Sequence, residues 1–157
     1  WNLATDVGPV IDATSHGDIA GYIAANNNRV IHTLNAPAQG TFIPPTMLRV
    51  GGIKDLEREI FGPVLSIMAY QTLDEAIEIG NDTEYGLAAY VQGEPAEARR
   101  IASKMRAGQV YINYPEFDMN APFGGFGQSG NGREWGAHAF GEFLEVRAVL
   151  GYAPEPA

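Results

Sequence analysis

The stretch VLSIMAYQTLDEAIEIGNDTEYGLAAYVQGEPAEARRIASKMRAGQVYI, residues 64–112, decides how the rest of the chain is read. It opens on a short apolar run, residues 64–70, of buried-strand length. Thr72, with Glu75 three residues on, forms a capping box before Leu73, Ala76, Ile77 and Ile79, which recur at helical spacing. Gly80, Asn81 and Asp82 stop that helix, and residues 87–91 read as a strand. Pro95 stands at the start of a second helix over Ala98, Ile101, Ala102 and Met105. Arg99, Arg100, Lys104 and Arg106 crowd toward its C-terminal end, where cations are favoured. Gly108 ends it and residues 109–112 form the next strand. The order β-α-β-α-β predicts an α/β fold, a parallel sheet with helices packed on it.

Outward from that stretch the pattern continues. Upstream, residues 12–27 carry Ile19, Ala20, Ile23 and Ala24 at helical spacing, and Asn26, Asn27 and Asn28 end the helix. Residues 29–34 alternate with period two as a half-buried strand, and residues 41–50 are extended because Pro44 and Pro45 block a helix. Downstream, seven of the 19 glycines fall between Gly124 and Gly141. Residues 134–142 read as a short helix, residues 143–152 as a final strand, and residues 153–157 as a loose tail.

Composition removes several classes of function. At 157 residues the chain suits one ordinary domain. Ten basic against 19 acidic residues give a net charge of −9, which disfavours binding to phosphate backbones. No run approaches the length of a membrane helix, and neither end reads as a signal peptide. The expected compartment is the cytoplasm. The absence of cysteine excludes disulfides, thiolate metal sites and thiol nucleophiles from this chain. The first residue is Trp1, not Met, so processing or a partial chain is the expectation.

Gly125, Gly127 and Gly130 match the spacing of a dinucleotide fingerprint, but the preceding strand ends near Asn113 and no βαβ unit follows. A tight, closely packed loop is the better reading. His16, His32 and His138 have no ligand spacing, so no metal site is expected. Ser129 lacks a nucleophile-elbow context and reads as a loop hydroxyl bonded to backbone. Asp55, Glu57 and Glu59 would ordinarily be a solvated face, yet they run into Ile60, Phe61 and a Gly62-Pro63 turn that feeds the buried strand. A carboxylate at a strand mouth beside an aromatic ring can accept two hydroxyl hydrogen bonds, each worth about 1.5–3 kcal/mol, while the ring covers a flat ligand. A structural role for the same pair stays open. A hydrolase pairing Glu57 with Glu59 is weak, because two residues on one turn give no defined acid/base separation.

Four motifs stand in order along the chain: Glu59-Ile60-Phe61-Gly62-Pro63-Val64, Asn81-Asp82-Thr83-Glu84-Tyr85-Gly86-Leu87, Gly108-Gln109-Val110-Tyr111-Ile112-Asn113 and Pro122-Phe123-Gly124-Gly125-Phe126-Gly127-Gln128-Ser129-Gly130. Together they resemble the later part of the aldehyde dehydrogenase superfamily. Thr5-Asp6-Val7-Gly8-Pro9-Val10-Ile11 is similar to the segment that follows that family's nucleophile. The resemblance implies a parallel-sheet, three-layer catalytic domain of which only the C-terminal part is present, over residues 1–142, with an oligomerisation strand at 143–152. It implies that Glu59 holds the nicotinamide ribose hydroxyls and that Phe61 packs against the nicotinamide end. Tyr114, Phe117 and Phe123 then fall in the region that lines the aldehyde tunnel, with plain core packing as their other reading.

In that family a cysteine attacks the aldehyde, hydride passes to NAD or NADP, and an activated water releases the acid. The cysteine, the general-base glutamate and the oxyanion asparagine lie upstream of the resembling segment. The expectation is therefore a fragment with no catalytic residue of its own, inactive alone and binding no cofactor tightly. Its partners would be a small-molecule aldehyde in the parent and further copies through the C-terminal strand, with no nucleic acid and no membrane. Exposed half-domain faces would make it self-associate. A stand-alone, non-catalytic module that kept the fold's assembly surface is the alternative.

Overall fold

A computed structural model of the chain describes residues 6–56 and 59–151. Trp1, Thr5, Glu57 and the tail at 153–157 lie outside the described residues, as does the last residue of the expected final strand, Tyr152. The chain divides into two compact units, Trp1–Thr72 and Leu73–Ala157.

In the first unit Asp12 caps α1 (Ala13–Ala25) from an extended backbone, its carboxylate accepting the Ser15 N–H at 2.7 Å. That bond, with the Ser15 side chain, holds the Asp12 carboxyl below its ordinary value. Asn26 ends the helix as expected, its side-chain amide donating to the Tyr22 carbonyl at 2.9 Å, and a 3-10 turn at Asn27–Arg29 follows. β1 (Val30–Thr33) pairs antiparallel with β2 (Thr46–Arg49), which pairs in parallel register with β3 (Val64–Ile67). The core gathers around the middle strand, where Leu48 is fully buried beside Thr46 and Val50. The Thr46 hydroxyl, buried with them, donates to the Pro44 carbonyl at 2.8 Å. The turn before β3 presses on α1: a Cβ at Gly62 would stand 2.6 Å from Ile19 Cδ1, so only glycine lets the chain pass there without a shift.

The second unit contains α2 (Leu73–Asn81), β4 (Ala88–Val91), α3 (Pro95–Ala102) and β5 (Gln109–Ile112). β4 and β5 pair in parallel, Ala88 opposite Gln109 through Val91 opposite Ile112. Glu94 caps α3, its carboxylate accepting the N–H groups of Ala96 and Glu97 at 2.9 and 3.0 Å ahead of Pro95 at the helix start. α3 stops at Ala102, short of the expected Met105. The Asn81 side chain donates to the Lys104 carbonyl at 2.9 Å and accepts the Arg106 N–H at 2.7 Å, and so claims the backbone groups that another helical turn would use.

The β-α-β-α-β order is present, and the α/β class with parallel pairing stands. Residues 64–112 do not lay three strands in one sheet, because β3 pairs with β2 in a three-stranded sheet while β4 and β5 form a second. Four consecutive β2–β3 pairs occupy that edge of β3 with a strand that lies earlier in the sequence. The short helix expected at 134–142 is a 3-10 segment at Ala137–Phe143. Residues 144–150 form no ladder among the described residues, and Val146 and Leu150 are 99% and 91% exposed.

Candidate functional site

In the second unit three motifs that are distant in sequence meet at one junction. The Gly86 carbonyl accepts the N–H groups of Gly108 at 2.9 Å and Phe126 at 3.0 Å, and the Gly86 N–H donates to the Ser129 hydroxyl at 3.1 Å. Gln128 N–H reaches the Glu84 carbonyl at 2.8 Å. Ser129 is thus the backbone-bonded loop hydroxyl its sequence suggested. The approach is close enough that a Cβ at Gly108 would collide with the Gly124 carbonyl. The glycine-rich segment is filled by its own chain and serves as a packed platform, not a phosphate cradle.

Arg133 binds this platform from the side. Its Nη1 donates to the carbonyls of Gly125 at 2.9 Å, Asn131 at 3.1 Å and Gly132 at 2.8 Å, and its guanidinium lies 5.3 Å from the centre of the Phe126 ring. A planar, multi-donor cation suits a loop with many free carbonyls and few side chains. The sequence reading missed it, because the carbonyls it binds come within reach only in the folded loop.

Trp135 brings two of the predicted site residues together. The Phe117 ring meets the indole edge-on at 5.1 Å and 82°, and the Phe123 ring lies tilted at 4.9 Å and 33°. Phe123 and Glu134 exchange backbone hydrogen bonds of 2.8 and 2.7 Å beside it. Two cavities flank this group, one of about 490 Å3 lined by Phe123, Trp135 and Phe143, the other of about 330 Å3 lined by Tyr111, Phe117 and Trp135. Tyr114, the third predicted residue, is 82% exposed and lines neither. It follows Asn113, and both sit in the left-handed region at φ +53° and +52°. The Asn113 amide pairs reciprocally with the Gly93 peptide, accepting its N–H and donating to its carbonyl, both at 2.9 Å. A side chain here extends the β4–β5 pairing by one rung while the backbone turns away into the loop at 114–121.

In the first unit Glu59 is exposed and Phe61 is 82% exposed, on the turn that leads into β3. Phe61 has φ +51°, a conformation that costs a bulky residue about 1–2 kcal/mol and aims the ring outward. The turn is fixed behind it by Thr46 N–H donating to the Pro63 carbonyl at 2.9 Å. An exposed carboxylate two residues from an exposed ring has the donor-accepting and stacking chemistry that a vicinal diol and a flat heterocycle require. Among the described residues no group of three or more His, Asp or Glu side chains is placed to hold a metal ion, and no helix is long and apolar enough to cross a membrane.

Fold and site together define an α/β protein with two parallel strand pairs, a carboxylate–aromatic turn in one unit and an aromatic-walled cavity pair in the other. The sequence profile of the aldehyde dehydrogenase family matches residues 1–149, and the chain belongs to that family. A putative aldehyde dehydrogenase of Staphylococcus epidermidis is 40% identical over 158 aligned residues, covering 94% of this chain and 33% of the relative. A 3-succinoylsemialdehyde-pyridine dehydrogenase of a Pseudomonas species is 56% identical over 95 residues, 60% of this chain and 20% of that enzyme. Among solved structures, a mutant of aldehyde dehydrogenase C from Pseudomonas syringae in complex with NAD+ and octanal superposes with a TM-score of 0.84 at 42% identity, covering 98% of this chain and 34% of that one. The chain thus spans about a third, or less, of the length of the relatives it matches.

Proposed function

We propose that this chain is the C-terminal third of an NAD(P)-dependent aldehyde dehydrogenase, with NAD+ the favoured cofactor, oxidising a small-molecule aldehyde to its carboxylic acid. The observation that carries the reading is the likeness over 98% of the chain to an enzyme bound to NAD+ and octanal. In that role Glu59 accepts the ribose hydroxyls, Phe61 covers the nicotinamide end, and Phe117 and Phe123 wall the aldehyde tunnel with Tyr114 at its outer loop. When bound, the nicotinamide supplies the hydride acceptor; the aldehyde is oxidised, NAD+ is reduced, and water supplies the second oxygen of the acid.

This chain contains no cysteine, so the thiol that would capture the aldehyde belongs to the segment upstream, and the chain alone is inactive. The segment at 144–150, with Leu144, Val146, Val149 and Leu150 exposed, serves as the strand that joins subunits, in a cytoplasmic enzyme. The test is expression of the whole reading frame that carries this segment, assayed with NAD+ and a panel of aldehydes. NADH formation is expected, and Glu59→Gln, which removes a charged acceptor, raises the KM for NAD+ by roughly tenfold with the aldehyde KM unchanged. A frame lacking an upstream cysteine, or an unchanged KM for NAD+ in the variant, contradicts the reading.

A further inference from the structure

We infer that Trp135 sets the size of aldehyde the enzyme accepts, by holding Phe117 and Phe123 as one wall between two cavities. This rests on the dehydrogenase reading above. It begins from a backbone outlier: Trp135 sits at φ +63° and is followed by Gly136 at φ +57°. A turn alone asks for glycine at such a position, since a bulky side chain is strained there. What the tryptophan adds is the indole, and the indole meets the rings of both Phe117 and Phe123.

The strained turn is tied at both ends. Glu134 is locked to Phe123 by two backbone hydrogen bonds, and the Gly136 N–H donates to the Met119 carbonyl at 3.2 Å. The backbone on either side of the indole is therefore tied to Met119 and to Phe123, within the segment the indole touches. The opposite root of that loop is fixed as well, by the Asn113 amide on the Gly93 peptide. With both roots held, the Phe117 ring, itself 68% exposed, meets the indole edge-on.

Trp135 also lines both the 490 Å3 and the 330 Å3 cavities, with Phe123 on the first and Phe117 on the second. Shrinking the indole removes the partition and frees Phe117 to shift, so the space open to an apolar substrate grows. Trp135 acts through the two phenylalanines and is a positioning residue, not a catalytic one. A longer or bulkier aldehyde gains from its loss and a short one does not, because each methylene accommodated in an apolar pocket shifts discrimination by roughly 10-fold or more.

The test uses the intact enzyme and the ratio of kcat/KM for octanal to that for propanal. Trp135→Leu raises this ratio at least about tenfold, with the KM for NAD+ unchanged, which general destabilisation would not produce. Trp135→Phe, a smaller ring that keeps its aromatic contacts, moves the ratio the same way by less and carries the test should the leucine variant not fold. In the 157-residue chain with Trp1→Phe, acrylamide quenching of Trp135 fluorescence rises on Phe117→Ala. An unchanged ratio in a folded, active variant overturns the proposal, as does quenching that ignores Phe117. Absence of NADH with every aldehyde from the wild-type enzyme overturns instead the reading on which it rests.

Discussion

Replacing Asn113 tests the second unit's most unusual joint, because one residue there satisfies two demands at once. Its side chain makes two hydrogen bonds of 2.9 Å with Gly93, and its backbone sits at φ +52°. Asn113→Gly removes the bonds and keeps the backbone at ease. Two exposed amide bonds at the low end of the usual range give a loss of about 1–2 kcal/mol. Asn113→Ala removes the same bonds and adds the strain of a Cβ in the left-handed region, about 1–2 kcal/mol more. The glycine variant gives back part of that advantage through extra freedom in the unfolded chain, so the alanine variant is expected to be less stable by about 1 kcal/mol. For a chain of this size that separates the melting temperatures by roughly 2–4 °C. Thermal and urea unfolding followed by circular dichroism measure both variants side by side. An alanine variant equal to or more stable than the glycine variant refutes the argument, and two variants indistinguishable from wild type refute the clamp.

Three further expectations follow from the same geometry. The Glu94 carboxyl is held below its ordinary 4.5 by the N–H groups of Glu97 and Ala96, so its contribution to α3 is present above that value and is lost as pH falls through the lower folded one. An NMR titration of the side-chain carboxyl checks this, and a midpoint at or above 4.5 contradicts it. Gly108→Ala drives a methyl group into the Gly124 carbonyl and costs about 1–3 kcal/mol or more, read as a fall in the urea midpoint. Arg133→Lys keeps the charge but loses the planar donors shared among three carbonyls, for a loss of about 1–2 kcal/mol that raised salt does not reproduce, measured by the same unfolding curves.

Local chemistry made much of the fold legible. Pro95 announced where α3 begins, Asn26 where α1 ends, and β5 lies at the residues its pattern marked. What escaped depends on partners far along the chain. No periodicity within residues 64–70 says that β3 pairs with β2, since that is decided by four residues at Thr46–Arg49. The early end of α3 depends on Asn81, which looked like a helix stop for α2 and is also a cap on the chain beyond α3. At the site, Glu59 and Phe61 were visible as a carboxylate and ring at a strand mouth, while Phe117 and Phe123 were visible only through the family's pattern. Trp135, Arg133 and Asn113 gave no usable signal, because their roles come from left-handed backbone angles and from carbonyls that only the folded loop brings within reach.

In the proposed function this chain supplies the cofactor and aldehyde walls of a dehydrogenase and lacks its reacting thiol. The most direct measurement compares NADH formation from NAD+ and octanal by the 157-residue chain and by the whole reading frame that contains it. No turnover by the chain and steady turnover by the longer protein are expected. Turnover by the chain alone, or none by the longer protein with octanal or shorter aldehydes, contradicts the proposed function.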